Sequence, residues 1–202
     1  REAEDPRSQE KPPLPGWASV RPADNVPTLL ITVASERGLC GSFNTHLLRQ
    51  VEKWVRARKA PTSLLTVGRK SRDYLARRKF SITRSFTSVI PAYEEWIPEI
   101  RAEALRALTD SGNTVCLAYN HMVTLTSQKP VIRPLLPVEI PSDFALEPSR
   151  SWISEPDLFT LAEQVLPLYL ESQIRRTLYE SESGEHSARM SAMEHATKNA
   201  KE

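Results

Sequence analysis

The stretch "TLLITVASERGLCGSFNTHLLRQVEKWV" (residues 28–55) decides the fold class. Leu29, Leu30, Ile31 and Val33 make a short apolar run, as expected for a strand covered on both faces. After the turn, Phe43, Leu47, Leu48, Val51 and Val55 recur at i, i+4, i+5, i+8 and i+12, one apolar stripe of a helix. Asn44 or Ser42 is the expected N-cap. Strand, glycine-bearing turn and helix in this order is a place where α/β proteins hold phosphate or seat a nucleophile. Cys40 sits in the middle of the turn.

Outward from this unit the pattern repeats. "SLLTV" (63–67) reads as a second strand, followed by Gly68 and a basic helix, "RKSRDYLARR". "FSIT" (80–83) reads as a third strand. A helix follows Pro98, with Ile100, Ala104, Leu105 and Leu108 on one side and Gly112 as its C′ stop. "TVCLAYN" (114–120) is a fourth strand. Residues 122–138 alternate and carry three prolines, which places one or two extended segments at a sheet edge. Strands alternating with helices predict an α/β domain with a largely parallel sheet.

The flanks read differently. Residues 1–27 hold six prolines and are expected to be an irregular linker; only "REAED" suits the tail of a helix. From Pro156, near N1, the chain is expected to be helical to its end. Pro167 costs about 3 kcal/mol inside a helix, so a kink or restart is expected there. Gly184 costs about 1 kcal/mol relative to Ala, which tertiary contact can outweigh. Leu161, Val165, Leu168, Ile174 and Leu178 form the apolar stripe of this segment. Met190, Met193, Thr197 and Ala200 then recur near a heptad seam, beside a row of Ala188, Ala192 and Ala196. A helix over 168–202 is roughly 50 Å long, against about 30–40 Å for a compact domain of this size. Part of it is therefore expected to project and to want a partner helix.

Composition narrows the function. The chain has 202 residues, 40% hydrophobic and 26% charged, as in soluble globular proteins. A net charge of +2 excludes a strong global case for nucleic acid. No run of about 18 apolar residues exists to span a membrane, and no signal peptide is read at the start. The first residue is Arg1 rather than Met, so the chain is read as a fragment or a processed product. Two cysteines, Cys40 and Cys116, suit free thiols in a reducing compartment, and the four histidines lack zinc spacing.

Two candidate sites have bland readings that we favour. "RGLCGSFN" lacks G-x-G-x-x-G and lacks the Lys-Ser/Thr of a Walker loop. Cys40 needs a nearby base; His46 lies on the following helix, without a third orienting group. The turn is therefore read as structural. The basic segment 68–79 holds Arg69, Lys70, Arg72, Arg77, Arg78 and Lys79 against Asp73. It is read as a solvated helix face with Tyr74 and Leu75 turned inward.

Three stretches together resemble the gamma subunit of F-type ATP synthases, the central-stalk rotor. "SERGLCGSFN" (35–44) resembles that family's turn, "YNHMVTLTSQKPVIRPLLP" (119–137) its late strand pair, and "YLESQIRRTLYESESGEHSARMSAMEHATKNA" (169–200) its C-terminal helix. The resemblance covers residues 28–200. It departs in lacking the long N-terminal helix and the distal half of the C-terminal one, and in Gly184, where the family usually has Ser or Ala. "SWISEPD" is shorter than the corresponding turn of some relatives, and the redox-regulatory cysteine insertion of chloroplast members is absent.

The resemblance implies an α/β fold: a Rossmann-like, largely parallel sheet domain, then a long C-terminal helix that projects as a coiled-coil partner. The implied division is a linker over 1–27, the α/β domain over 28–150 and a helical stalk over 151–202. The implied role is a non-catalytic shaft, with catalysis on β subunits and no cofactor or metal of its own. Implied partners are the α and β subunits, the epsilon subunit and the c-ring, with attachment to the membrane through that ring and no nucleic acid. Trp152, Glu155 and Pro156 are expected near the c-ring foot, and Arg189, Met190, Met193 and Asn199 in the lower coiled coil. A bacterial origin is favoured over a mitochondrial one. The alternative is a stand-alone nucleotide- or anion-binding domain using the 35–44 turn.

Overall fold

The computed structural model of the chain describes residues 25–111, 113–124, 126–138, 155 and 158–201. Five strands and four helices follow in the order β1 (Thr28–Val33), α1 (Phe43–Ala57), β2 (Thr62–Val67), α2 (Arg69–Arg77), β3 (Ile82–Phe86), α3 (Tyr93–Ser111), β4 (Thr114–Met122), β5 (Gln128–Leu136) and α4 (Leu158–Asn199). They form one sheet of order β3-β2-β1-β4-β5. β1 pairs in parallel with β2 and β4, β2 in parallel with β3, and β5 runs antiparallel at the edge beside β4. The expected α/β domain with a mainly parallel sheet is what forms.

Strand β1 is buried along its whole length, which accounts for its unbroken apolar run. Its side chains alternate between two cores. Leu29, Ile31 and Val33 face Ile97 and Ile100 of α3 and Leu170 and Ile174 of α4. Leu30 and Ala34 face Leu47 and Val51 of α1 and Leu75 of α2. Helices thus cover both faces, α1 and α2 on one and α3 and α4 on the other. β5 carries Pro130 and Pro134, opposite Asn120 and Cys116, and only an edge strand tolerates them.

Several boundaries differ from expectation for physical reasons. β3 begins at Ile82, not Phe80. Lys79, at φ 60°, closes α2, and the Phe80 N–H still donates to Leu75 O at 3.2 Å. The exposed Thr83, Arg84 and Ser85 hid the rest of this edge strand from apolar patterning. α3 begins at Tyr93 and carries Pro98 inside it. Ile97 is fully buried and the Trp96 ring lies 6.0 Å from Phe86, so tertiary burial outweighs the proline. The Asn113 N–H donates to Ala107 O at 2.9 Å, six residues back, a bond that ties the start of β4 to the end of α3. Gly112 itself lies outside the described residues.

The last helix corrects two expectations. α4 runs unbroken through Pro167, so of the expected kink or restart the restart does not occur. Its expected stripe divides: Ile174 and Leu178 are buried with Leu166 and Leu170, while Leu161, Val165 and Leu168 are exposed. The buried row recurs every four residues because one face lies against the sheet and α3. Paired side chains flank it. Arg101 reaches Glu171 at 2.5 Å and Arg175 reaches Glu94 at 2.6 Å. Arg175 holds the Glu94 carboxyl below its ordinary pKa, and the Tyr179 hydroxyl adds to the effect. The expected linker over 1–27 and the boundary at 150/151 lie, apart from residues 25–27, outside the described residues.

Candidate functional site

Residues 34–44 cross the C-terminal end of the sheet, and side chains hold them there. The Ala34 N–H donates to Val67 O at 2.9 Å, tying the turn to β2. Asn44, the second residue of α1, turns back into the turn. Its Oδ1 accepts the Ser35 N–H at 3.1 Å, and its Nδ2 donates to Ser35 Oγ at 2.7 Å and Cys40 Sγ at 3.1 Å. Ser35 Oγ donates to Arg37 O at 2.6 Å. Asn44 is therefore a staple and not the cap; Ser42 takes the N-cap position without a side-chain cap bond. Leu39 and Gly41 adopt φ of 61° and 56°. For Leu39, 78% exposed, this left-handed conformation is strained. Asn44→Ala would strip the staple and should lower stability by about 2 kcal/mol, as a lower midpoint in urea denaturation.

The turn seats α4. A Cβ on Gly184 would lie 3.3 Å from Phe43 Cε2 and 3.2 Å from Gln128 Cγ, so the helix backbone rides directly on α1 and β5 side chains. One turn further on, the Arg189 Nε and Nη2 donate to Gly38 O, each at 3.4 Å, while Nη2 also pairs with Glu185. Both side chains of that pair are largely buried, at 18% and 15% exposure. A Cβ on Gly41 would stand 4.0 Å from Ala192. The alanine row thus faces the helix's own domain, at least through Ala192. Glu180 anchors the helix lower down: its Oε1 meets His121 Nδ1 at 2.5 Å and accepts the Met122 N–H at 3.0 Å. Beyond Ala192 every described residue is exposed.

The expected contact residues separate on this frame. Met190 and Met193 are exposed, at 65% and 50%, and Asn199 is exposed at the far end of α4. Arg189 points back to Gly38. Glu155 is exposed; Trp152 and Pro156 lie outside the described residues. Glu36, Glu180 and His121 lie inside the three stretches that carry the resemblance, but sequence reasoning assigned none of them a contact. Gly184 was noticed as a propensity cost and as a departure from the family's usual Ser or Ala, not as a close approach of two elements.

Neither chemical reading of the turn fits its geometry. Cys40 is 3% exposed and its sulfur takes the Asn44 amide; no histidine is hydrogen-bonded to it among the described residues. At the start of α1, into which the turn leads, the Phe43 N–H is already taken by Cys40 O at 3.2 Å, and the nearby N-terminus of α2 holds the chain's own Glu36. That carboxylate accepts the Arg69 N–H at 3.2 Å and the Ser88 N–H at 3.0 Å. Beside it lies a crevice of about 220 Å³ over Tyr93 and Trp96, with Glu182 and Glu185 on its wall. Burial first, then the carboxylates of Glu182, Glu185 and Glu36, push the Tyr93 phenol well above its ordinary pKa. Arg37, His186 and Arg189 share that lining, and Arg189 is paired with Glu185. Among the described residues no group of three or more His, Cys, Asp or Glu side chains could hold a metal, and no helix is long and apolar enough to cross a membrane.

What remains is a built seat for a long helix. The family model described as ATP synthase matches residues 3–202. The chain belongs to the ATP synthase gamma-chain family. It is 37% identical over 172 residues to the ATP synthase gamma chain of Pelotomaculum thermopropionicum, covering 84% of this chain and 61% of that one. It is 39% identical over 184 residues to the gamma chain of Anaeromyxobacter sp. (strain Fw109-5), covering 86% and 61%. The chain therefore spans about 61% of the length of these curated relatives. Among solved structures it is similar to a chain of the Tetrahymena thermophila mitochondrial ATP synthase central stalk and c-ring. There the TM-score is 0.66 at 28% identity, covering 89% of this chain and 80% of that one. A rotor chain of the Euglena gracilis mitochondrial ATP synthase gives a TM-score of 0.67 at 18% identity, a likeness of fold alone.

Proposed function

We propose that the chain is the globular domain and lower shaft of the central rotor of an F-type ATP synthase. It couples ion flow through a membrane ring to ATP synthesis or hydrolysis in a catalytic hexamer of α and β subunits, and itself catalyses nothing. The observation that carries this reading is α4. It has 42 residues, about 63 Å at helical rise. One face is seated on a domain and its last turns stand free. Exposed Met190, on the outer face of the seated stretch, and exposed Met193, on the free part, suit a helical partner. Leu161, Val165 and Leu168 present a second exposed apolar stripe lower on the shaft.

Under this reading Met190, Met193 and Asn199 belong to the coiled coil, and Trp152, Glu155 and Pro156 lie toward the foot that meets the c-ring and the epsilon subunit. The complex is peripheral on the cytoplasmic face of a bacterial inner membrane; the gamma chains it matches from Pelotomaculum and Anaeromyxobacter support that placement. Rotation of an asymmetric shaft then biases bistable sites around it in sequence.

The experiment is reconstitution of the complete gamma chain with its own α and β subunits, with a probe on the α2 surface. ATP-driven rotation of the probe is expected, with no ATP turnover by the chain alone. Turnover by the isolated chain that a mutation in this chain abolishes would refute the rotor reading. In the isolated 202-residue chain, fast amide exchange is expected beyond Ala192, while residues 185–192 stay protected by the seat.

A further inference from the structure

We propose that Arg189 is a positioning residue that fixes the angle at which the shaft leaves the globular domain. This deepens the rotor reading and rests on it. A shaft clamped at one end and loaded at the other carries its largest bending moment where it exits the clamp. Here the exit is at Arg189–Ala192, the last part of α4 that is not fully exposed. Arg189 is the last side chain of α4 with a polar tie to another element among the described residues.

The tie is built to hold direction. Glu185, one helical turn earlier, pairs with the guanidinium and fixes its rotamer. Both Nε and Nη2 then address one acceptor, Gly38 O. Both long contacts converge on one carbonyl, and the pairing with Glu185 limits the rotamers from which the guanidinium can make them. The acceptor cannot follow the helix away. Gly38 lies in a turn pinned by Asn44 and by the Ser35 hydroxyl. The neighbouring Glu36 is fixed to the backbone of Arg69 and Ser88. Phe43 against Gly184 closes another side. Torque between the domain and the free helix therefore passes through the 35–44 turn, and Arg189 sets its register.

The test has two arms. In the 202-residue chain, Arg189→Ala should speed amide exchange at residues 186–192 by roughly tenfold, the loss of one hydrogen bond from a charged group. Exchange at 166–178 should not change. Arg189→Lys keeps the pairing with Glu185 but not the forked geometry, and should recover only part of the protection. Glu185→Gln combined with Arg189→Ala removes the stranded carboxylate and should exchange as fast as Arg189→Ala alone. Arg101→Ala, which breaks the lower tie to Glu171, should leave 186–192 unchanged. In the reconstituted rotary complex, Arg189→Ala should broaden the angular distribution of the probe in each stalled dwell, with maximal ATP turnover retained. Unchanged exchange at 186–192, or an unchanged angular width despite faster exchange, would overturn the proposal. A wild-type complex that does not turn would overturn the rotor reading, and the exchange arm would still decide the tie.

Discussion

Gly68→Ala is expected to abolish the folded domain. Gly68 follows β2 and precedes α2, at φ 91°, where an L side chain is strained. A Cβ there would lie 2.0 Å from Ala34 O, 2.8 Å from Ala34 C and 3.1 Å from Ser35 C. All three atoms are backbone, so no rotamer change relieves the overlap. The backbone cannot retreat either. The Ala34 N–H is bonded to Val67 O, and the Gly68 N–H donates to Phe86 O at 2.8 Å. Gly68 O accepts from Ser71 Oγ at 2.8 Å and from the Arg72 N–H. One residue thus joins the ends of three parallel strands. We expect a cost above about 4 kcal/mol, the range reserved for named structural failures. A domain holds about 5–15 kcal/mol in total, so the variant should be largely unfolded or insoluble. Gly38→Ala is the control: its Cβ would meet only the flexible end of Lys70 at 3.6 Å. It should be neutral or slightly stabilising. A Gly68→Ala protein with a urea midpoint near wild type would contradict this account.

These glycines mark what the sequence carried and what it hid. The parallel sheet was legible because β1, β2 and β4 are buried on both faces, so their side chains form apolar runs regardless of partner. α1 was legible because its inner stripe is continuous. β3 was misplaced because Thr83, Arg84 and Ser85 lie exposed on an edge, where pairing is carried by backbone alone. α3 was started late because Pro98 opposes a helix locally, while Ile97 and Trp96 favour it only once Phe86 is in place. The seat was the least legible. Asn44 has the composition of a cap and the geometry of a staple. Arg189 and Gly38 are 151 residues apart in the chain, and nothing in either residue's neighbourhood announces the other. The Glu36 carboxylate fills the N-terminus of α2, a pairing with the Arg69 and Ser88 amides that no spacing rule anticipates.

Gly184→Leu should detach the upper half of α4 from the domain. Gly184 is poorly suited to a helix interior, and alanine there would gain about 1 kcal/mol from propensity alone. Against that gain stand contacts of 3.2 Å to Gln128 Cγ and 3.3 Å to Phe43 Cε2 for the added Cβ. Gln128 can swing aside. Phe43 is held harder, because it is 6% exposed and its carbonyl accepts the Asn120 side-chain amide at 3.0 Å. Alanine should therefore fall near neutral, the propensity gain offset by a few tenths of an ångström of displacement. Leucine places two more branches in the same gap, and they meet the Phe43 ring. The helix must lift, and lifting it stretches the Arg189–Gly38 tie. We expect a loss of about 3 kcal/mol, the upper range for overpacking, with exchange protection lost over 181–192 and kept over 166–178. If the Phe43 ring is the obstacle, Phe43→Ala should cost less in the presence of Gly184→Leu than alone. A coupling of about 1–2 kcal/mol is expected from a double-mutant cycle. Strictly additive effects would mean that the helix is held elsewhere, and that the small residue at 184 is not what lets the shaft sit on its domain.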